Sequence, residues 1–428
     1  RSGAIPSSPS SCSRTQRVPS GSASDHPMEI LVLDTIHGGT EVATDLERSG
    51  HHADTVDIYR GERGITPEEA ARRRYDLLVA PVHLDPDHPL MKAIMAPRIT
   101  HHGAVRMLLS GETPHPMVEV TGARGKTTTA HAIAHALGGP GVLHTSRGTF
   151  LYPGRTLLWK RSITPASVVP AAREAVKVSG WLVAEESLGV SAAGEVAVLT
   201  SGKDYRIAAG KRSALAAKLE SMRDSPMVVV PPGVRFNHPN VVDAGECARW
   251  EGDRCSYNHN GIRGEFRNPL GELPAYQVPL SLAAATLCAL GQDPGDLDGF
   301  TGVEGRLSAE KRDGILVVDN SNSGTTAETT EAAASYARSI STGGWITLVI
   351  GEEDRTVCEG FPPDAIASSI RKIHPDRLVL VGERGRAIRP EGFGRRVSYA
   401  DTLEAARGLA LRDTPGGGAV VLSVKTWR

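Results

Sequence analysis

Short apolar runs closed by polar turns recur along this chain and alternate with stretches of helical periodicity. The first run, Glu29-Ile30-Leu31-Val32-Leu33, reads as a buried strand beginning just after Met28. Asp34-Thr35-Ile36-His37-Gly38-Gly39 follows, and Thr40 opens a helix with Val42, Ala43 and Leu46 on one face. Strands are expected at 55–58 and 77–80, so residues 28–112 read as one small α/β unit with a parallel sheet. The strand Met117-Val118-Glu119-Val120 starts a second unit, 113–300. Its first helix carries Ala130, Ile133, Ala134 and Leu137 at spacings of three and four. Later strands fall at 181–184, 196–199 and 227–230, and the run 280–290 reads as a buried helix. A third unit, 301–428, carries strands at 315–319, 346–350, 378–381 and 420–424. No internal repeat of fixed period is present.

Composition narrows the function classes. Lys and Arg total 48 against 49 Asp and Glu, for a formal charge of -1. Such a balance offers no footprint for nucleic acid or an anionic membrane. No run of about 18 apolar residues is present to span a bilayer. The five cysteines form no CxxC pair, and their odd number fits a reduced, cytoplasmic protein. Residues 1–27 are rich in Ser and Pro and read as a disordered tail, with Met28 as the expected true start.

The chemistry is concentrated in Thr121-Gly122-Ala123-Arg124-Gly125-Lys126-Thr127-Thr128-Thr129, set between a strand and a helix as a phosphate-binding loop requires. Gly125 lets the main chain approach phosphate, and N–H groups at the helix start point at the anion. Lys126 places an ammonium on the outer phosphates, and the Thr127 hydroxyl is suited to a Mg²⁺ shell. Arg124 either assists phosphate or stands as an exposed side chain. Gly38-Gly39 also follows a strand, but it does not spell GxGxxG and is expected to be a tight turn.

Val120 replaces the first glycine of the usual loop, and the form V-T-G-x-x-G-K-T-T resembles the Mur ligase superfamily. That resemblance implies a three-domain α/β architecture: an N-terminal substrate domain, a central P-loop ATPase domain and a Rossmann-like C-terminal domain. It also implies ATP and Mg²⁺ as cofactors. Glu185-Glu186-Ser187 looks like the family's E-x-S segment, which assigns a metal-binding role to Glu185. Lys218 lies where some members carry a carbamylated lysine; the plain alternative is a surface lysine on a helix from Lys211 to Met222. Gly305-Arg306-Leu307 resembles the hinge motif of the C-terminal domain. Asp319 resembles the residue that reaches the nucleotide from that domain, so closure would bring Arg306 and Asp319 over ATP. Tyr205 stands where most relatives have a metal-binding His, and Asp319-Asn320-Ser321-Asn322-Ser323-Gly324 replaces the D-D-Y-A-H-N-P run. Those departures argue against a peptidoglycan enzyme.

Stretches 32–39, 80–90, 100–109, 119–129 and 144–149 are similar to one divergent branch, the coenzyme F430 synthetases of methanogenic archaea. The similarity implies a nickel tetrapyrrole substrate, 15,17³-seco-F430-17³-acid, closed to coenzyme F430 through an acyl phosphate. An amide-forming ligase of the superfamily is the alternative, and a P-loop switch without ligase activity a third. Candidate substrate contacts are His37, Gly38, His83, His101, His102 and Arg147. For each a plainer role stands open: His37, His101 and His102 as loop or helix-cap residues, Arg147 as half of an ion pair. His83, Asp85, Asp87 and His88 lie close enough in sequence to ligate a metal, with a polar loop as the ordinary explanation. Cys247 and Cys255 read as inert thiols, and Arg72-Arg73-Arg74 as a solvated helix face.

Overall fold

The computed structural model describes residues 26–303, 307–322, 324–353, 360–388 and 397–426. Gly305, Arg306, Cys358 and residues 1–25 lie outside them, so the hinge and tail expectations fall on undescribed residues. Among the described residues, no helix is long and apolar enough to cross a membrane.

Three main sheets follow in chain order. The first holds β1 (Glu29–Leu33), β2 (His52–Val56), β3 (Leu77–Ala80) and β4 (Arg98–Thr100), in the order β2-β1-β3-β4 and parallel throughout. Its helices are α1 (Gly39–Arg48), α2 (Pro67–Arg72), α3 (Pro89–Ala93) and α4 (His101–Leu108). The second strand starts at His52, three residues before the expected 55. His52, Ala53 and Asp54 lie on an edge strand and are incompletely buried, so they give no apolar run to read.

The central sheet contains β5 (Met117–Thr121), β6 (Gly141–Thr145), β7 (Gly148–Tyr152), β8 (Thr156–Trp159) and β9 (Trp181–Glu185). β10 (Val196–Leu199) belongs to the same sheet. Beyond the short hairpin of β11 (Arg206–Ile207) and β12 (Arg212–Ser213), it is completed by β13 (Met227–Val230) and β14 (Val241–Asp243). The order is β14-β13-β10-β5-β9-β6-β7-β8, parallel except for β7, which runs antiparallel to both β6 and β8. The inner strands are apolar on both faces, as a parallel sheet covered by helices demands. α5 (Lys126–Leu137) packs on one side, and α6 (Val168–Lys177) on the other. α7 (Ala214–Ser221) and α8 (Ala244–Cys247) follow. β15 (Ala248–Glu251), β16 (Arg254–His259) and β17 (Ile262–Arg267) form a small antiparallel sheet. α9 (Pro274–Ala289) lies against α5; it begins six residues before the expected 280 and holds Pro279 internally.

The last sheet has β18 (Ser308–Arg312), β19 (Ile315–Asp319), β20 (Ile346–Glu352), β21 (Arg377–Val381), β22 (Val397–Ala400) and β23 (Ala419–Lys425). Its order is β18-β19-β23-β20-β21-β22, parallel except for β18. α10 (Ala327–Ile340), α11 (Pro363–Ile373), α12 (Gly382–Arg386) and α13 (Leu403–Asp413) cover it.

One apolar cluster bridges the first two sheets. Ile30, Val32, Val42, Leu46 and Val105 share it with Val142, Val168, Val169 and Leu182. Each such side chain contributes about 1.5–3 kcal/mol on leaving water, so the two units are docked on an apolar seam. Cys247, Cys255 and Cys288 are free, buried thiols.

Candidate active site

At the carboxyl edge of the central sheet, Leu199, Thr121, Glu185 and Thr145 end four neighbouring strands. Ligands of open parallel sheets bind at such an edge. Gly122 to Gly125 form the loop and Lys126 starts α5, so the helix N-terminus faces the same space. Thr128 is buried in the helix's first turn.

The loop needs its glycines. Gly122 has φ +149, and a Cβ there would lie 2.2 Å from Thr200 Oγ1. That hydroxyl donates to Thr121 O at 3.2 Å and also to Arg124 O, which ties the loop to the end of β10. Gly122→Ala must therefore break the tie or distort the loop. We expect it to lower stability by about 1–3 kcal/mol and to weaken nucleotide binding; an unchanged urea midpoint with unchanged binding would contradict this.

Two side chains and one main-chain N–H converge on Glu185. The Thr127 hydroxyl donates to Glu185 Oε2 at 2.9 Å, and the Ser146 N–H donates to the same oxygen at 3.1 Å. Lys126 Nζ lies 3.7 Å from Glu185 Oε1 and donates to Gly122 O at 3.2 Å. Two hard oxygens 2.9 Å apart match the edge of an octahedron with bonds of about 2.0–2.1 Å, so Thr127 and Glu185 fit Mg²⁺. Ser146, whose Oγ lies 3.3 Å from Thr127 Oγ1, was not anticipated; its contribution is partly main-chain and carries no motif. Arg147 follows it in the β6–β7 turn, half-buried, with its main-chain N–H donating to Thr145 Oγ1 at 3.2 Å.

Behind Glu185 lies a second carboxyl. Glu186 is fully buried, and neither of its oxygens has a hydrogen-bond partner. Burial, reinforced by Glu119, raises it well above the carboxylate range. Its carboxyl lies beneath the loop, where burial favours the protonated form. Thr121 Oγ1 donates to its carbonyl at 3.1 Å.

Lys218 corrects the surface alternative. Its helix runs from Ala214 to Ser221, and the residue is 1% exposed. Its ammonium lies 4.6 Å from the centre of the Tyr205 ring and 3.4 Å from Tyr205 Oη. Burial, then the Lys126 charge, lowers its pKa to about 8.

The other candidates scatter. Asp319 ends β19 on the third sheet, where Oδ1 accepts from Ser321 N at 2.8 Å. Arg124 Nη1 lies 3.2 Å from Glu328 Oε2 on α10, an exposed ion pair between loop and third unit. His101 and His102 open α4 and are each 3% exposed. His101 Nε2 donates to Leu33 O at 2.9 Å and His102 Nε2 to Ser187 O at 3.0 Å, so neither ring is open to substrate. Burial pushes His102 down to about 3, which keeps it neutral. The run His83, Asp85, Asp87, His88 does not converge. Lys211 pairs with Asp85 at 2.7 Å and also with Asp87, while His88 caps α3 by accepting from Leu90 N. His83 turns instead towards His37 and Asp34. Arg73 lies beyond its helix, paired with Asp54 at 2.7 Å.

A family model described as "Coenzyme F430 synthetase CfbE, C-terminal domain" matches residues 309–426. A coenzyme F(430) synthetase of Methanosarcina acetivorans is 29% identical, over 89% of this chain and 96% of its own. This chain is similar to coenzyme F430 synthetases over most of its length. Solved structures agree on the fold. An Escherichia coli FolC in complex with ADP superposes with TM-score 0.56 at 14% identity, covering 76% of this chain and 90% of that one. MurF ligase from Thermotoga maritima, in complex with ADP, gives TM-score 0.50 at 13% identity, covering 83% and 86%. The mixed α/β architecture is thus that of the Mur ligases. The part matching the synthetase family model begins just after Arg306 and contains Asp319.

Proposed function

We propose that this chain is an ATP-dependent ligase that closes the carbocyclic ring of 15,17³-seco-F430-17³-acid to give coenzyme F430. The observation that carries the ATP chemistry is the convergence of Lys126, Thr127 and Ser146 on Glu185 at the phosphate loop. Relationship to synthetases along nearly the whole chain supports the tetrapyrrole substrate. Residues 28–112, 113–300 and 301–428 act as substrate, ATPase and closing domains, with Arg306 and Asp319 brought over the nucleotide.

In the proposed reaction a propionate carboxylate oxygen attacks the γ-phosphorus of ATP, and the bond to ADP breaks. A ring carbon of the resulting acyl phosphate gives its proton to solvent, attacks the acyl carbon and expels phosphate. A C–C bond replaces the C–O bond. Lys126 and the amides of Gly122 to Lys126 hold the outer phosphates. Thr127 and Glu185 would hold Mg²⁺, which would supply charge neutralisation at the transferring group. Arg147, in the turn after Ser146, would pair with a substrate carboxylate.

Lys218 carries a separate prediction. Its unfolded value is about 10.4, above the folded value near 8. Between these values the unfolded chain binds the extra proton, so this group's contribution to stability rises with pH through that window. Urea midpoints taken between pH 8 and 10.5 should rise less in Lys218→Met than in the unaltered chain. Parallel curves would refute the assignment. The same depressed value supplies the neutral amine needed for carbamylation, in which Nζ attacks CO₂ and loses a proton.

The function is tested by incubating protein, ATP, Mg²⁺ and the seco-acid. We expect the absorption spectrum to change to that of the cyclised product, with one ADP per turnover. An unchanged spectrum, or ADP release that depends on an added amino acid, would sink the cyclase in favour of an amide-forming ligase.

A further inference from the structure

The first sheet has its own switch point. From β1 the chain moves to β2 on one side, then crosses to β3 on the other, so the loops after β1 and β3 part at their carboxyl ends. In open α/β sheets that crevice is where ligands bind. Asp34 follows β1 directly, and His37 and His83 lie in the two parting loops. One donor atom from each lies within 4.8 Å of the others.

The three groups are aimed at one another. Asp34 is fully buried, and its Oδ1 accepts from Ile36 N at 2.8 Å and His37 N at 3.0 Å. That leaves Oδ2 facing both imidazoles. His37 Nδ1 donates to Oδ2 at 2.7 Å, and His83 Nε2 lies 3.7 Å from it. With the His37 proton carried on Nε2 instead, Nδ1 turns its lone pair to the same point as Asp34 Oδ2 and His83 Nε2. His83 Nε2 is buried and has no hydrogen-bond partner, a cost that a bound cation would remove. Donors on bonds of about 2.1 Å lie roughly 3.4 Å apart in a tetrahedron, so small ring rotations close the set.

We propose that Asp34, His37 and His83 form a binding site for a divalent transition metal, with outward coordination positions left open. Imidazole donors favour nickel, copper, zinc or cobalt over magnesium or calcium. Two sources share the imidazole donor: a free ion, which takes all three groups, or the nickel of a tetrapyrrole substrate, which would take a single imidazole from this side, the second resting on the proposed function. Tyr59 is half-exposed and lies parallel to His83, with ring centroids 6.3 Å apart. Gly38 also seats this turn on the central unit: a Cβ there would lie 2.8 Å from Ala166 Cβ. The neighbouring Ile163 carbonyl accepts from Ser187 N, two residues past Glu185.

The test uses untagged full-length protein. In one arm, aqueous Ni²⁺ is titrated by calorimetry; in the other, the seco-acid spectrum is recorded with and without protein. Unaltered chain should bind Ni²⁺ at one site, shift the nickel chromophore, or both, and the responding arm identifies the source. His37→Gln and His83→Gln should each weaken the response at least tenfold, with His52→Ala as the unaffected control and circular dichroism confirming the fold. No response in either arm, or losses under twofold in both glutamine variants, would overturn the site. Binding of Ni²⁺ requires neither ATP nor turnover. A failed ligase assay with intact binding would remove the reaction and leave the site, whereas turnover with unaltered binding in both variants would remove the site alone.

Discussion

Lys126→Ala should lower ATP turnover about 10³-fold, or about 4 kcal/mol of transition-state stabilisation. Lys126 Nζ already sits within reach of Gly122 O and Glu185 Oε1, so its ammonium lies inside the loop before any anion arrives. Triphosphate replaces the carbonyl as its partner and gains a charge that follows the transferring oxygens. Alanine removes that charge and leaves the buried Glu185 carboxylate without its nearest cation. Lys126→Arg should rescue little, because the planar guanidinium is larger and the loop is closed by Thr200. The check is ADP release at saturating seco-acid. A rate within threefold of the unaltered chain would show that phosphate is held elsewhere.

Glu185→Gln is expected to cost about 10²–10³ in turnover, the scale for losing one preorganised electrostatic contact. The substitution keeps the volume but removes the charge that, with the Thr127 hydroxyl, fits Mg²⁺. The loss should therefore shift the magnesium dependence to higher concentration and be partly recovered by excess Mg²⁺. Glu186→Gln should not show that shift, because Glu186 is fully buried and its burial favours the protonated, uncharged form. Equal magnesium curves for Glu185→Gln and the unaltered chain would contradict the assignment.

Much of this site was legible because its chemistry is contiguous. Thr121 to Thr129 carries strand, loop and helix in one stretch, and the apolar strand before Glu185 marks that carboxylate as the end of a neighbouring strand. Ser146 was invisible, because a main-chain N–H leaves no mark in a sequence. The histidines show the opposite difficulty. His83 was grouped with Asp85, Asp87 and His88 by proximity along the chain, yet the pairing of β1 with β3 sends it to Asp34 and His37. Side chains in a loop diverge, and only strand order decides which loops meet. Lys218 read equally well as a surface residue because α7 has small residues on several faces, and burial there depends on the packing of Tyr205 and the first unit's loop. β15, β16 and β17 went unread for a related reason. Their burial alternates, as in Arg254–His259, so half of each strand is polar and resembles a loop.

The central claim is that ATP activates a substrate carboxylate as an acyl phosphate. Seco-acid labelled with ¹⁸O in its propionate carboxylate, turned over with unlabelled ATP, tests it directly by mass analysis of the released phosphate. The account predicts one ¹⁸O in each phosphate, carried across when the ring carbon displaces it. Phosphate free of label, alongside a cyclised product, would contradict it.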